Sequence, residues 1–316
     1  MTVLHLIQEI AQNAQAGAPA GGPPRGGEEA FSFKDALFEL IQFVGWFFSV
    51  GAIGFRFGVV RRIRGMTDDA RQILAADKAA MLGVLGIILL FVSYLGAPLL
   101  ESVLNHQAFS AALPRNRGQF ESRMVLLAVA LVGFLLVRAS AALGWTLAAL
   151  GVLIAVLFPV YTGRGAGKVN AVHVFAASTW LGTLLVLTIV GVRGLIGRQP
   201  SGTPRATLVA DLVNSFSPLA LTAATLVALT GLTTAWMHLK RISSLWTTSY
   251  GITLIIKLVF VLIVVSLGAW NWRRVRPSLG DVGTEETIRR SSTMELTVGA
   301  IVLICTAVLV TLPSPR

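Results

Sequence analysis

Charge and cysteine are what this sequence has least of. Only 13% of its 316 residues are charged, while 54% are hydrophobic and the mean hydropathy is +0.74. A soluble protein carries roughly a quarter charged residues, so lipid is the natural solvent here. The single cysteine, Cys305, excludes a disulfide and a thiol metal site; inside an apolar run it reads as a small buried hydrophobe. No HExxH, CxxC or paired-carboxylate motif occurs, so nothing supports hydrolysis or nucleophilic catalysis. The loop TGRGAGKV looks like a phosphate cradle, yet Thr162 stands where a P-loop needs its first Gly. Val169 replaces the hydroxyl that would hold Mg²⁺. A pump driven by its own ATPase is excluded. The net charge of +11 does not point to nucleic acid, because Arg and Lys sit in short clusters between apolar runs, as in loops facing anionic lipid.

What is present is apolar length. Runs long enough to cross about 30 Å of hydrocarbon fall near 36–60, 80–104, 123–140, 142–161, 168–194, 208–237, 249–271 and 292–313. The third and fourth are separated only by a small-residue turn around Ala139 to Ala142. No stretch alternates with the period of two that a barrel strand needs. The expected fold is all-α, a polytopic membrane bundle of about eight helices. It divides into a flexible outer tail (1–35), a four-helix membrane half (36–161) and a second four-helix half (162–316). The tail is rich in Gly, Pro and Ala and lacks the positively charged start of a signal peptide. Gly54 and Gly58 form a small-xxx-small pair suited to close helix packing.

Lys and Arg are more abundant on one set of alternate loops, with Arg56, Arg61, Arg62, Arg64, Arg71 and Lys78 around the first. Positive loops stay cytoplasmic. Both termini are therefore expected outside.

Under that topology all four histidines, His5, His106, His173 and His238, lie at the outer side. His173 is about one turn inside the fifth span, where an imidazole is expensive without a partner or a task. His238 ends the sixth span. Consecutive spans joined by an inner loop can have neighbouring outer ends, which puts His173 and His238 within reach of one metal or one cofactor. Met237 and His106 are possible further ligands. Imidazole with thioether suits copper, whereas His5 and His106 also read simply as tail and loop residues. Lys257 lies roughly 12 Å inside the seventh span at 1.5 Å per residue, with Glu39 and Glu101 as candidate partners by depth. Glu295 enters the last span from the inner side. The sixth span carries Ser215, Ser217, Thr222, Thr225, Thr230, Thr233 and Thr234, which glue helices or line a polar path. Pro218 is expected to bend it.

Four pieces, taken in order, resemble the CopD family of membrane copper-resistance and copper-transport proteins. They are VHVFAASTWLGTLLVL, VNSFSPLALTAATLVALTGLTTAW, LWTTSYGITLIIKLVFVLIVVSLGAWN and MELTVGAIVLICTAVLVTLPSP, within residues 168–315. The resemblance implies an eight-helix bundle that moves copper across the inner membrane, alongside a small periplasmic copper carrier. It places His173, Trp180, Ser217, Gly231, Tyr250, Gly251, Lys257, Asn271 and Glu295 at motif positions, with His173 the obvious ligand. The leading expectation is a copper-binding, copper-transporting protein that takes the ion inward. Two rivals are a non-transporting scaffold subunit of a larger membrane complex and an electron-transfer subunit with one b-type haem.

Overall fold

The computed structural model describes residues 32–62, 70–195, 203–239, 242–274 and 284–312. Most of the expected tail, with His5, lies outside the described residues. Among the described residues the chain is helical and forms no strand. Eight helices among the described residues are long and apolar enough to cross a membrane. They are α1 (Phe33–Val59), α2 (Asp77–Leu104), α3 (Arg117–Leu136), α4 (Ala141–Thr162), α5 (Ala166–Gly191), α6 (Ala210–Leu239), α7 (Ser249–Trp270) and α8 (Arg289–Thr311). The protein is an all-α, multi-pass membrane bundle.

The centre of the bundle is α1 against α5. Of their most apolar stretches, 56% of α1 and 67% of α5 is buried inside the protein, against 11% of α6 and 17% of α7. Helix α1 packs on α2, α4, α5 and α8, whereas α7 leans mainly on α8 and α6 mainly on α5. The α1–α5 approach is set by glycine. A Cβ at Gly51 would strike the backbone of Gly182, and a Cβ at Gly182 would strike the backbone of Phe47. One turn on, the Gly54 position is filled by the Thr183 hydroxyl, and a Cβ at Gly58 would lie 2.7 Å from Leu219 Cδ2 of α6. The small pair in α1 therefore does pack helices together, each glycine admitting a different partner.

Both central helices leave α-geometry around this contact. π-turns occur at Gly54–Val59 in α1 and at Ser178–Gly182 and Leu187–Leu195 along α5. Periodicity does not announce them. Trp180 lies in the π-turn of α5 and is 9% exposed, packed with Phe47, Leu181, Ala223 and Val264. That makes it a core residue joining α5 to α1, α6 and α7. Helix α6 runs unbroken through Pro218.

Candidate functional site

The start of α5 and the end of α6 meet at one end of the bundle. The link from α4 turns back through Gly163, whose N–H donates to the Pro159 carbonyl at 2.7 Å, and through Gly165 at φ +52°. That left-handed conformation suits glycine, and it lays the start of α5 beneath Met237; a Cβ on Gly165 would be 3.8 Å from Met237 Cε. The glycine loop is thus a helix connection.

Two turns deeper, His173 of α5 faces α6. Its Nδ1 lies 3.0 Å from Thr230 Oγ1. Thr230 donates its own proton to the Leu226 carbonyl at 2.6 Å. Its oxygen is left to accept, so Nδ1–H of His173 is the donor. Nδ1 is therefore protonated and, in the neutral ring, Nε2 holds the lone pair. The same edge of the ring occupies the space beside Gly231, where a Cβ would be 3.2 Å from Cε1. Gly231 makes room for the imidazole, and Thr230 fixes its tautomer. A hydrogen bond from the far nitrogen is how metal-ligating histidines are usually held.

His238 is anchored in the same sense by different atoms. Its Nδ1 lies 2.8 Å from the Thr234 carbonyl, which can only accept, so Nδ1–H donates and Nε2 is again free to bind. The ring stacks on Tyr250 of α7, with centroids 6.1 Å apart and an 18° interplanar angle. His238 is half-buried and Met237, beside it in sequence, is exposed.

His173 and His238 do not lie against each other. Thr230 marks the level of His173 on α6, and His238 is two turns farther out, about 12 Å along the axis. Two nitrogens on one ion, each bonded at about 2 Å, stand only about 4 Å apart. The expectation of one site shared by both rings therefore does not describe this geometry, and neither does a single haem iron held between them. Among the described residues, no three His, Cys, Asp or Glu side chains gather as a metal-binding group.

His106 is exposed at the end of α2, at φ +49°, in a turn closed by Gln107 N–H to the Ser102 carbonyl at 3.0 Å. There it serves as a left-handed helix cap. Lys257 is half-buried in α7, near enough to His173 and Cys305 for its charge to reach both. Among the described residues it makes no ion pair, so Glu39 and Glu101 are not its partners. Glu39 instead accepts from Gln42 at 3.4 Å. Glu101 is half-buried near the end of α2. Glu295 is buried in α8 and engaged in a polar interaction. Asn271 follows α7, and its side chain lies outside the described ones.

The hydroxyls of α6 behave unequally. Ser217, Thr222, Thr225 and Thr233 donate to carbonyls one turn back in their own helix. Among the described residues Thr230 alone receives a hydrogen bond from another span, and Thr234 Oγ1 is buried with no hydrogen-bond partner. Sequence could name all of them but not separate these two. Tyr250, noticed only as a motif position, turns out to carry the His238 ring. The pair Arg123 and Tyr94 gave no sequence signal; the guanidinium lies 5.2 Å over the ring and donates to its hydroxyl at 3.1 Å.

Residues 210–309 match the sequence profile of the family described as Copper resistance protein D, CopD. The CopD resemblance is borne out. The match begins at the start of α6 and covers α7 and nearly all of α8, so Thr230, Gly231, His238 and Lys257 lie in the CopD segment and His173 lies before it. The chain is also 32% identical over 143 residues to a Bacillus subtilis (strain 168) protein named Copper transport protein CutJ. Those residues are 45% of this chain and 24% of that protein, so the chain matches about a quarter of the relative's length. No solved structure matches the chain.

Proposed function

We propose that this protein takes up copper at the outer side of a bacterial inner membrane and passes it inward. The ion is the cargo, delivered by a small periplasmic copper carrier of the kind the CopD resemblance implies. One observation carries the reading: an intramembrane imidazole, His173, held by Thr230 with Nδ1–H as donor and Nε2 left to bind. A neutral imidazole suits copper, and polar groups this deep in a membrane are rarely kept without a task. The CopD match and the name of the Bacillus relative support the same cargo.

The test is a Cu(I) competition titration on the purified full chain. His173→Ala is expected to weaken binding at least tenfold. Thr230→Val, which leaves the ring but frees its orientation, is expected to fall within the roughly 10- to 100-fold loss typical of residues that orient a metal ligand. Unchanged copper affinity in a His173→Ala, His238→Ala double variant would sink the reading.

A second reading, a scaffold subunit of a larger membrane complex, is favoured by α6. Its exposed side carries Thr222, Thr225 and Thr233, polar residues turned away from the rest of the chain. Co-purification of fixed partners without bound metal would establish that alternative.

A further inference from the structure

We propose that His238 and His173 are two successive copper stations, each holding its own ion, rather than two ligands of one. The inference rests on the copper-handling reading above. Thr230, Thr234 and His238 follow one another at four-residue spacing, so they share one face of α6. At one end of that face Thr230 bonds His173 of α5; at the other the His238 ring lies on Tyr250 of α7. The two imidazoles are separated along the helix by about 12 Å, three times what one ion bridges. Each is complete as a single presented ligand, with Nδ1–H tied down and Nε2 left to bind. Turning either ring toward the other would break that hydrogen bond.

Met237 and His238 leave the end of α6 in different directions, Met237 toward the start of α5 and the His238 ring onto Tyr250 of α7, so the rim station is built on the imidazole. Met237 is exposed, and its Sδ-bearing methyl group reaches over Gly165 at the start of α5. The ion at the inner station feels Lys257, whose charge reaches His173. Between the stations stands Thr234 Oγ1, buried and without a partner, whereas its helix neighbours Thr230 and Thr233 are bonded to their own carbonyls. A buried hydroxyl without a partner is uncommon in a folded protein, and this one lies on the face of α6 that carries both imidazole levels. A rim site that captures and a deeper site that commits the ion follow from this layout.

The experiment is Cu(I) loading of the full chain in detergent, with metal counted per chain and the ligand shell read by X-ray absorption. Two ions are expected in the unaltered protein and one in each of His173→Ala and His238→Ala. The ion left in His173→Ala should show the imidazole nitrogen of His238, and the ion left in His238→Ala that of His173. Should either variant misfold, His173→Gln or His238→Gln replaces it, keeping a polar side chain of similar reach. One ion per chain, lost in either single variant, would overturn the two-station layout and leave the copper reading standing. No copper at all in the unaltered protein would overturn both.

Discussion

Thr230 stands apart from the other hydroxyls of α6 because it works in both directions. It donates to Leu226 and so is obliged to accept from His173. Nothing in the sequence distinguishes it from Thr225 or Thr233, since all three follow apolar residues at helical spacing. What singles it out is the rotation of α5 against α6, and the gap at Gly231 that admits the ring. His173 was legible as an intramembrane imidazole; its partner was not. The same holds for Lys257, whose depth was readable from counting residues but whose neighbours were not. Its charge bears on His173, the position where a cation is proposed to bind. At an effective dielectric constant of about 20, like charges about 10 Å apart repel by roughly 1.7 kcal/mol, close to a tenfold effect on binding. Lys257→Met should therefore tighten Cu(I) binding at the inner position about tenfold and slow its release, whereas Lys257→Arg should do neither. Competition titration with stopped-flow release checks both, and an unchanged affinity in Lys257→Met would show that the ammonium does not act on the ion.

At the scale of helices, sequence reading succeeded where the membrane dictates the answer. A span of about 20 apolar residues is a local requirement of 30 Å of hydrocarbon, so all eight helices and their approximate ends could be placed before any packing was known. The π-turns could not, because they accompany a tertiary contact. Gly51 and Gly182 bring the backbones of α1 and α5 so close that side chains are excluded, and both helices carry π-turns on one or both sides of that point. Overpacking a filled interior generally costs about 1–3 kcal/mol. Gly182→Ala is therefore expected to lower the thermal midpoint in detergent clearly. Gly268→Ala in α7 is the control, since a Cβ there meets nothing within 4 Å. That change should leave the midpoint unchanged or raise it, because alanine favours helix over glycine by up to about 1 kcal/mol. Equal midpoints for the two variants would mean that the α1–α5 contact is looser than the glycines imply.

For the whole molecule, the decisive property is which way it sits. Eight spans return the chain to the side on which α1 began, and the histidine-bearing ends of α5 and α6 share that side with the beginning of α1 and the end of α8. The loops at the opposite end hold the larger share of Lys and Arg, including the cluster from Arg56 to Lys78. Such clusters resist translocation, so they are expected to stay cytoplasmic and to turn the histidines outward. Orientation then decides what the two stations do. With His238 at the periplasmic rim and His173 deeper, the outer station meets incoming copper first, and the direction of travel is inward. A C-terminal alkaline phosphatase fusion should consequently be active in cells, and a C-terminal green fluorescent protein fusion dark. The reverse pattern would place His238 and Met237 on the cytoplasmic side, where the same pair of stations would collect copper for removal from the cell.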